Sequence, residues 1–368
     1  MCEAFVIPVL VGSSKIAFSS LIETGVNKRV AERLGEDSHA VILINKCRAI
    51  PYPYPMKDLL RTEDLSRADV ELLLSTAADF ARNPLSAATA LAHQSVAIYM
   101  TKPSTRTRLA SETAVAHLGG TPIFLRGDDL QLGRGETIAD TARIISGFSA
   151  ALIVRTFAQS DVDELGKYSS IPVINALTDD DHPTQLLADW ITIREVFGAD
   201  IAGRKFTYIG DGNNMAHAWL TMGAIMGAHV VAATPPGKFA PDPRAIESAR
   251  RIAAETGATI EITHDPEAAA KDASALYTDV WMSMGDPESE RSEKLAALSP
   301  FAVTPELMSL TAKDSIFMHC LPAHRGEEVA AEVIDGEKSV IWREAYHRRT
   351  TIQAILYHTV RGELTGRK

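Results

Sequence analysis

The sequence predicts an α/β protein of two domains. Each is a parallel sheet flanked by helices on both faces (doubly wound, three-layer). Three observations carry this. Short apolar runs alternate with helical patterns, the signature of parallel strands joined by crossover helices. The alternation runs once from Met56 and restarts after Gly203. Polar motifs follow the apolar runs, at the carboxyl ends of strands where open α/β sheets gather their sites.

Taken in order, residues 1–55 read as an N-terminal extension that ends in Pro51-Tyr52-Pro53-Tyr54-Pro55, a stiff extended segment. The first domain is expected over 56–198. Ser66 with Asp69 forms a capping box before leucines at helical spacing. Ser95–Met100 reads as a buried strand, Leu109–Leu118 as a helix stopped by Gly119-Gly120, and Thr121–Leu125 as a strand. Glu136–Phe148 is helical, Ala151–Arg155 and Pro172–Asn175 are strands, and His182–Phe197 is one long amphipathic helix. The second domain is expected over 199–338, with strands at Phe206–Gly210, His229–Ala233, Ala275–Tyr277 and Ile316–Met318 and a helix from about Met215 to Gly227. Residues 339–368 form the C-terminal segment, helical from Ile341 to Leu364.

A length of 368 residues suits two domains, and 46% apolar content supports sizeable cores. The net charge of -10 speaks against nucleic acid, whose phosphates need a basic face. The three cysteines, Cys2, Cys47 and Cys320, are too scattered for a disulfide framework and point to a reduced, cytoplasmic protein. No apolar run reaches the ~18 residues of a membrane span, and Phe5–Val11 lacks the preceding cation of a secretory signal.

The most informative stretch is Lys102-Pro103-Ser104-Thr105-Arg106-Thr107-Arg108. It places cations and hydroxyls on a strand-to-helix turn with no carboxylate before Glu112. Helix N-terminal N–H groups favour an anion, and arginine forks match phosphate oxygens. In an acidic chain this predicts a small phosphate-bearing substrate.

Four further motifs follow predicted strands. Arg155-Thr156 alone could be a solvated strand-end charge. In His182-Pro183-Thr184-Gln185, proline suits a first helical turn, and His182 and Gln185 share one face. His182 could equally be a loop histidine beside Asp179-Asp180-Asp181. Asp279 and Ser283, four apart on a loop, could hold an ammonium group. His319-Cys320-Leu321-Pro322 brings a thiol that is inert if merely buried and reactive if cations surround it. Zinc would need further ligands at the right spacing, so no metal is expected. Gly210-Asp211-Gly212-Asn213-Asn214 lacks the third glycine of a dinucleotide loop, and no acidic residue ends the next strand.

Together S-T-R-T-R, H-P-T-Q, D-x-x-x-S-M-G and H-C-L-P resemble the aspartate/ornithine carbamoyltransferase family over about 56–364, and the last two motifs resemble its ornithine branch. The resemblance implies carbamoyl transfer from carbamoyl phosphate to the side-chain amine of L-ornithine, without metal or organic cofactor. It makes 56–198 the carbamoyl-phosphate domain and 199–338 the ornithine domain. By resemblance, Ser104, Thr105, Arg106 and Thr107 cradle the phosphate, and Arg155, His182 and Gln185 hold the carbamoyl group. A C-terminal helix returns to the first domain and brings Arg348 to the phosphate, and Gln131 reaches a neighbouring subunit's site in a homotrimer or a multiple of trimers. Asn175, Asp279, Ser283 and Met284 contact ornithine, with Cys320 and Leu321 near the reacting amine. The catalytic set is then Arg106, Arg155, His182, Asp279 and Cys320. The resemblance also implies a cis bond before Pro322.

The chain departs from the family at Thr101 (usually Glu), Ser111 (usually Phe), His347 (Asn), Thr350 (His) and Ile352 (Gln). Alternatives are a transcarbamoylase for putrescine, lysine or an acylated ornithine, a catalytically weak paralogue, or a dehydrogenase.

Overall fold

Alternating strands and helices take up two parallel sheets in the computed structural model, which describes residues 58–201, 203–283 and 286–367. The expectation for residues 1–55 lies outside these. In chain order, α1 is Arg67–Arg82, β1 Ser95–Met100, α2 Thr105–His117, β2 Thr121–Arg126, α3 Ile138–Phe148, β3 Ala151–Arg155, α4 Gln159–Tyr168, β4 Val173–Leu177 and α5 Pro183–Phe197. Then follow β5 Lys205–Ile209, α6 Asn214–Met226, β6 His229–Ala233, α7 Pro243–Thr256, β7 Thr259–Thr263, α8 Pro266–Ala270 and β8 Ala275–Thr278. The chain ends with α9 Arg291–Leu298, α10 Pro305–Ser309, β9 Ile316–His319, α11 Ala331–Ile334 and α12 Ile341–Arg361. The first sheet has the order β2-β1-β3-β4 and the second β7-β6-β5-β8-β9, all pairs parallel.

Each sheet is covered on both faces. Tyr99, Leu152 and Val154 pack with Ile145 of α3 and Val162 of α4, while Ile98 and Ile153 share the large core with α1, α2, α5 and α12. In the second sheet Phe206 and Tyr208 face α6, and Ile209 and Leu276 face α8, α10 and α11. α12 packs on α1, α2 and α5, so the chain does return to the first sheet. Trp190 of α5 meets Trp219 of α6 at 5.0 Å between ring centroids, and Trp219 meets Tyr277 of β8 at 4.7 Å. Such pairs contribute ~0.5–1.5 kcal/mol each beyond area burial, and here they join the two sheets' helices.

Several boundaries differ from the sequence expectation. The Ser66–Asp69 capping box is present. α2 begins at Thr105 rather than Leu109, because the Ser104 hydroxyl caps it by accepting the Thr107 N–H at 3.2 Å. The S-T-R-T-R run is therefore the helix's first turn, not a loop before it. α3 starts at Ile138, capped by Thr137. α5 is not amphipathic: Pro183 to Ile193 are buried on every side, since the helix lies between the two sheets and α12. α4, α7 and β7 escaped the sequence reading. α4 and α7 are amphipathic with half-polar faces, and β7 is an edge strand whose residues Thr259, Glu261 and Thr263 look like loop composition.

Candidate active site

The carboxyl ends of β1, β3, β5, β8 and β9 converge on a cleft of about 800 Å³ lined from both lobes. One wall comes from Lys102, Ser104, Thr105, Arg106, Arg155, His182, Gln185 and Arg348, the other from Asn213, Asn214, Asp279, Ser283, Cys320 and Leu321.

The cationic wall is built by contrast among its charges. Lys102 is bound to Asp179 and lies over the Phe157 ring, and Arg108 pairs with Glu112 at 2.9 Å. Arg106 makes no ion pair or hydrogen bond among the described residues. Arg155, at the end of β3, is buried, and its Nε has no partner among the described residues. Burial first, then Arg348 and Arg106, push its guanidinium down to about 10. Arg348 donates from Nη1 to Gln185 Oε1 at 2.5 Å and from Nη2 to the Thr107 hydroxyl at 3.2 Å, and its Nε is also unpartnered. Three guanidiniums thus meet at a helix N-terminus, and among the described residues no carboxylate forms an ion pair with Arg106 or Arg155, Asp279 acting on them only from across the cleft. Such an arrangement holds a multiply charged anion. Thr107 itself lies behind the wall, buried against Arg348.

His182 precedes α5, which starts at Pro183. Burial first, with Arg348 and Arg155 adding repulsion, keeps its imidazole well below the usual histidine range. It is a neutral ring next to an anion site, suited to hydrogen-bond a carbonyl oxygen.

The opposite wall follows from strand register. β8 and β9 pair with Thr278 opposite His319, so the next residues, Asp279 and Cys320, meet. The Cys320 thiol donates to Asp279 Oδ1 at 2.9 Å, and Asn213 Nδ2 donates to Oδ2 at 3.0 Å. Burial, then Asp279, raise the Cys320 thiol well above its ordinary value. That direction and the hydrogen bond to Asp279 favour the thiol over the thiolate. The Ser283 N–H donates to Asp286, which pairs with Lys294; Lys294 also holds Asp211 at 2.7 Å. Leu321–Pro322 is cis.

Three sequence expectations need separate statements. Asn175 does not reach the cleft: it is fully buried in β4, its amide donating to the Leu60 carbonyl at 2.9 Å and to Gln159 at 3.3 Å. Asn213, which caps α6, and Asn214, which donates to the Thr178 carbonyl at 3.0 Å, stand in the cleft instead. The strand-end rule used for the other motifs would have found them, had Gly210–Asn214 not been weighed only as a dinucleotide loop. Gly212 has a packing reason, since a Cβ there would lie 2.3 Å from Pro241 N. Gln131 is exposed and does not line its own chain's cleft. Met284 lies outside the described residues.

Comparison with known proteins fits this two-walled cleft. Residues 57–195 match the carbamoyl-P binding domain of aspartate/ornithine carbamoyltransferases, and residues 202–359 match their Asp/Orn binding domain. The chain belongs to that family. As a member, it is 46% identical over 312 residues to the ornithine carbamoyltransferase of Pyrococcus horikoshii, covering 84% of this chain and 98% of the relative. It is 46% identical over 302 residues to that of Anoxybacillus flavithermus, covering 82% and 95%. The solved ornithine carbamoyltransferase from Pyrococcus furiosus aligns with a TM-score of 0.79 at 45% identity, over 84% of this chain and 98% of that one.

The family departures are visible here. His347 is buried beside Glu195, 3.0 Å from Nε2 to Oε2, and its Nδ1 lies 3.0 Å from the Thr350 hydroxyl. The substituted pair thus contacts itself, while Arg348 between them still faces the cleft. Thr101 lies 3.2 Å from Thr156. Nothing in the structure explains Ser111, whose buried hydroxyl has no partner among the described residues.

Proposed function

We propose that the chain is an ornithine carbamoyltransferase, moving the carbamoyl group of carbamoyl phosphate to the side-chain amine of L-ornithine to give L-citrulline and phosphate. One observation carries this reading: three guanidiniums face, across a single cleft, an aspartate–thiol–asparagine cluster suited to an amine. The names of the relatives support the same acceptor.

Arg106 and Arg348, with the first-turn amides of α2, take the phosphate, which leaves as a dianion. Arg155 and neutral His182 donate to the carbonyl oxygen as negative charge develops on it. Gln185 and Thr107, accepting from its two Nη atoms, hold Arg348 toward the phosphate. The amine attacks neutral, its lone pair forming the N–C bond while the C–O bond to phosphate breaks. The departing phosphate takes up the proton released by nitrogen. Asp279 accepts from the amine, and Cys320, held as a thiol, donates to Asp279 rather than acting as a base. Ser283 and Asn213 flank the acceptor. Burial of both reactants between the lobes excludes water from a donor prone to hydrolysis.

The assembly belongs to this reading. Gln131 lies outside its own cleft, and Ile144 and Phe148, one turn apart on α3, are 58% and 76% exposed. Both facts support a trimer in which Gln131 serves a neighbour, to be checked by sedimentation. No helix among the described residues is long and apolar enough to cross a membrane. A cytoplasmic enzyme is part of the same proposal.

The deciding experiment measures citrulline and phosphate from carbamoyl phosphate with L-ornithine, putrescine, L-lysine and N-acetylornithine in parallel. Citrulline formation at a kcat/KM well above the other acceptors is expected. Preference for another amine replaces the acceptor, and no phosphate release with any acceptor ends the reading.

A further inference from the structure

Behind the cleft lie two carboxylates that neither sequence motif nor substrate contact accounts for. Asp189 of α5 and Glu344 of α12 are fully buried, and neither lines the cleft. Gln185 Nε2 donates to both, to Asp189 Oδ1 at 2.7 Å and to Glu344 Oε1 at 2.8 Å. With both amide hydrogens committed, Gln185 must present Oε1 to Arg348, and a flipped amide would set donor against donor. The other Glu344 oxygen accepts the His319 N–H at 3.1 Å, one residue before Cys320. Glu344 therefore touches the anion wall through one oxygen and the acceptor wall through the other.

We propose that Glu344 is a positioning residue that couples the two halves of the cleft, aiming Arg348 through Gln185 and fixing the Cys320 turn through the His319 amide. Its position explains why one carboxylate serves both: it sits in the first turn of α12, where the C-terminal helix passes between α5 and the end of β9. Asp189, Tyr277, Cys320 and Arg348 are the titratable and charged groups around it. Burial, then mutual repulsion, raises Glu344 well above the usual carboxylate range, and burial raises Asp189 too. Burial and mutual repulsion favour a protonated form of the pair. Losing that proton would leave two repelling carboxylates behind Gln185, so activity should fall on the alkaline side.

The test rests on the carbamoyl-transfer reading and uses the full chain with Glu344→Ala and Glu344→Gln. Steady-state rates are taken against both substrates from pH 6 to 10, and inorganic phosphate binding is measured by calorimetry. Each lost buried hydrogen bond should cost a factor of about 5, so Glu344→Ala should raise KM for both substrates about fivefold and lower kcat about tenfold. Glu344→Gln has one acceptor where the carboxylate has two: kept for His319, it turns the amide –NH2 toward Gln185 Nε2 and Asp189. It should hold the ornithine KM within about threefold, raise the carbamoyl-phosphate KM about fivefold, and lose less activity on the alkaline side than the unaltered enzyme. A Glu344→Ala enzyme with both KM values unchanged, or with only one raised, overturns the coupling, as does a lowered Tm with normal kinetics. If Glu344→Ala does not fold, an alkaline limb unmoved in Glu344→Gln overturns it. If the unaltered chain makes no citrulline, the functional reading has failed instead. Phosphate affinity about fivefold weaker in Glu344→Ala then still supports the Arg348 half, and unchanged affinity overturns it.

Discussion

Replacing Arg106 with alanine separates binding chemistry from architecture more cleanly than any other change. Among the described residues Arg106 has no hydrogen-bond or ion-pair partner to lose, whereas Lys102 and Arg108 on the same turn are both paired. Its guanidinium also repels Arg155, whose own value it helps depress. The substitution should therefore leave the melting temperature unchanged or slightly raised. Against a phosphate dianion, two charge-assisted hydrogen bonds disappear at ~1.5–3 kcal/mol each. Arg155 and Arg348 remain nearby and offset part of this, so a net loss of ~3–4 kcal/mol is expected, or about 10²–10³ in kcat/KM for carbamoyl phosphate. Arg106→Lys keeps the charge without the fork and should regain about tenfold. Initial rates of citrulline formation at saturating ornithine, with the donor varied, measure this directly. A variant within threefold of the unaltered kcat/KM would refute the anion-site argument. A large drop in Tm would show that Arg106 holds the fold instead.

Cys320→Ser keeps a donor to Asp279 but shortens its reach; ornithine KM should rise about fivefold while calorimetric carbamoyl-phosphate affinity stays unchanged, and lost donor affinity would contradict the placement of Cys320. Asn213→Ala removes the α6 cap and an Asp279 partner and should raise ornithine KM; Asn175→Ala should lower Tm with ornithine KM intact, and the reverse pattern would return Asn175 to the site. Asp181 is raised to about 6 by burial although it accepts from the Thr62 N–H, the Thr62 hydroxyl and the His182 N–H. Its protonated form is favoured in the folded state, so it lowers stability progressively as pH rises from about 4 through 6. The full effect is ~3 kcal/mol. Urea melts at pH 4.5 and 7 should differ less in Asp181→Asn than in the unaltered chain, and an equal difference would exclude Asp181 as the source.

Much of the cleft was legible because the side chains that line it sit in compact runs just past apolar strands. Ser104–Arg108, His182–Gln185, Asp279–Ser283 and His319–Pro322 each declare their chemistry locally. Asn175, expected at ornithine from the resemblance and at the end of a strand 172–175, lies mid-strand in β4, which runs to Leu177. One residue of register decides whether such a side chain meets the cleft or the Leu60 carbonyl behind it. Asp189 gave a signal that went unread: a lone carboxylate inside Leu186-Leu187-Ala188-Asp189-Trp190-Ile191 is a buried charge in need of a partner. β7 and α7 were missed because edge strands and exposed helices share their composition with loops.

By itself the chain determined the alternation of strands and helices, the helix caps and the anion-binding turn. Each of these depends on neighbours within a few residues, where periodicity, capping hydroxyls and prolines act. Only the tertiary structure decided which charges stay free and which are neutralised. Among the described residues Arg106 is unpaired while Lys102 finds Asp179, and Glu344, 159 positions from Gln185, accepts from that amide. Those outcomes turn on burial and on contacts between distant segments, and neither is written in any local run of residues.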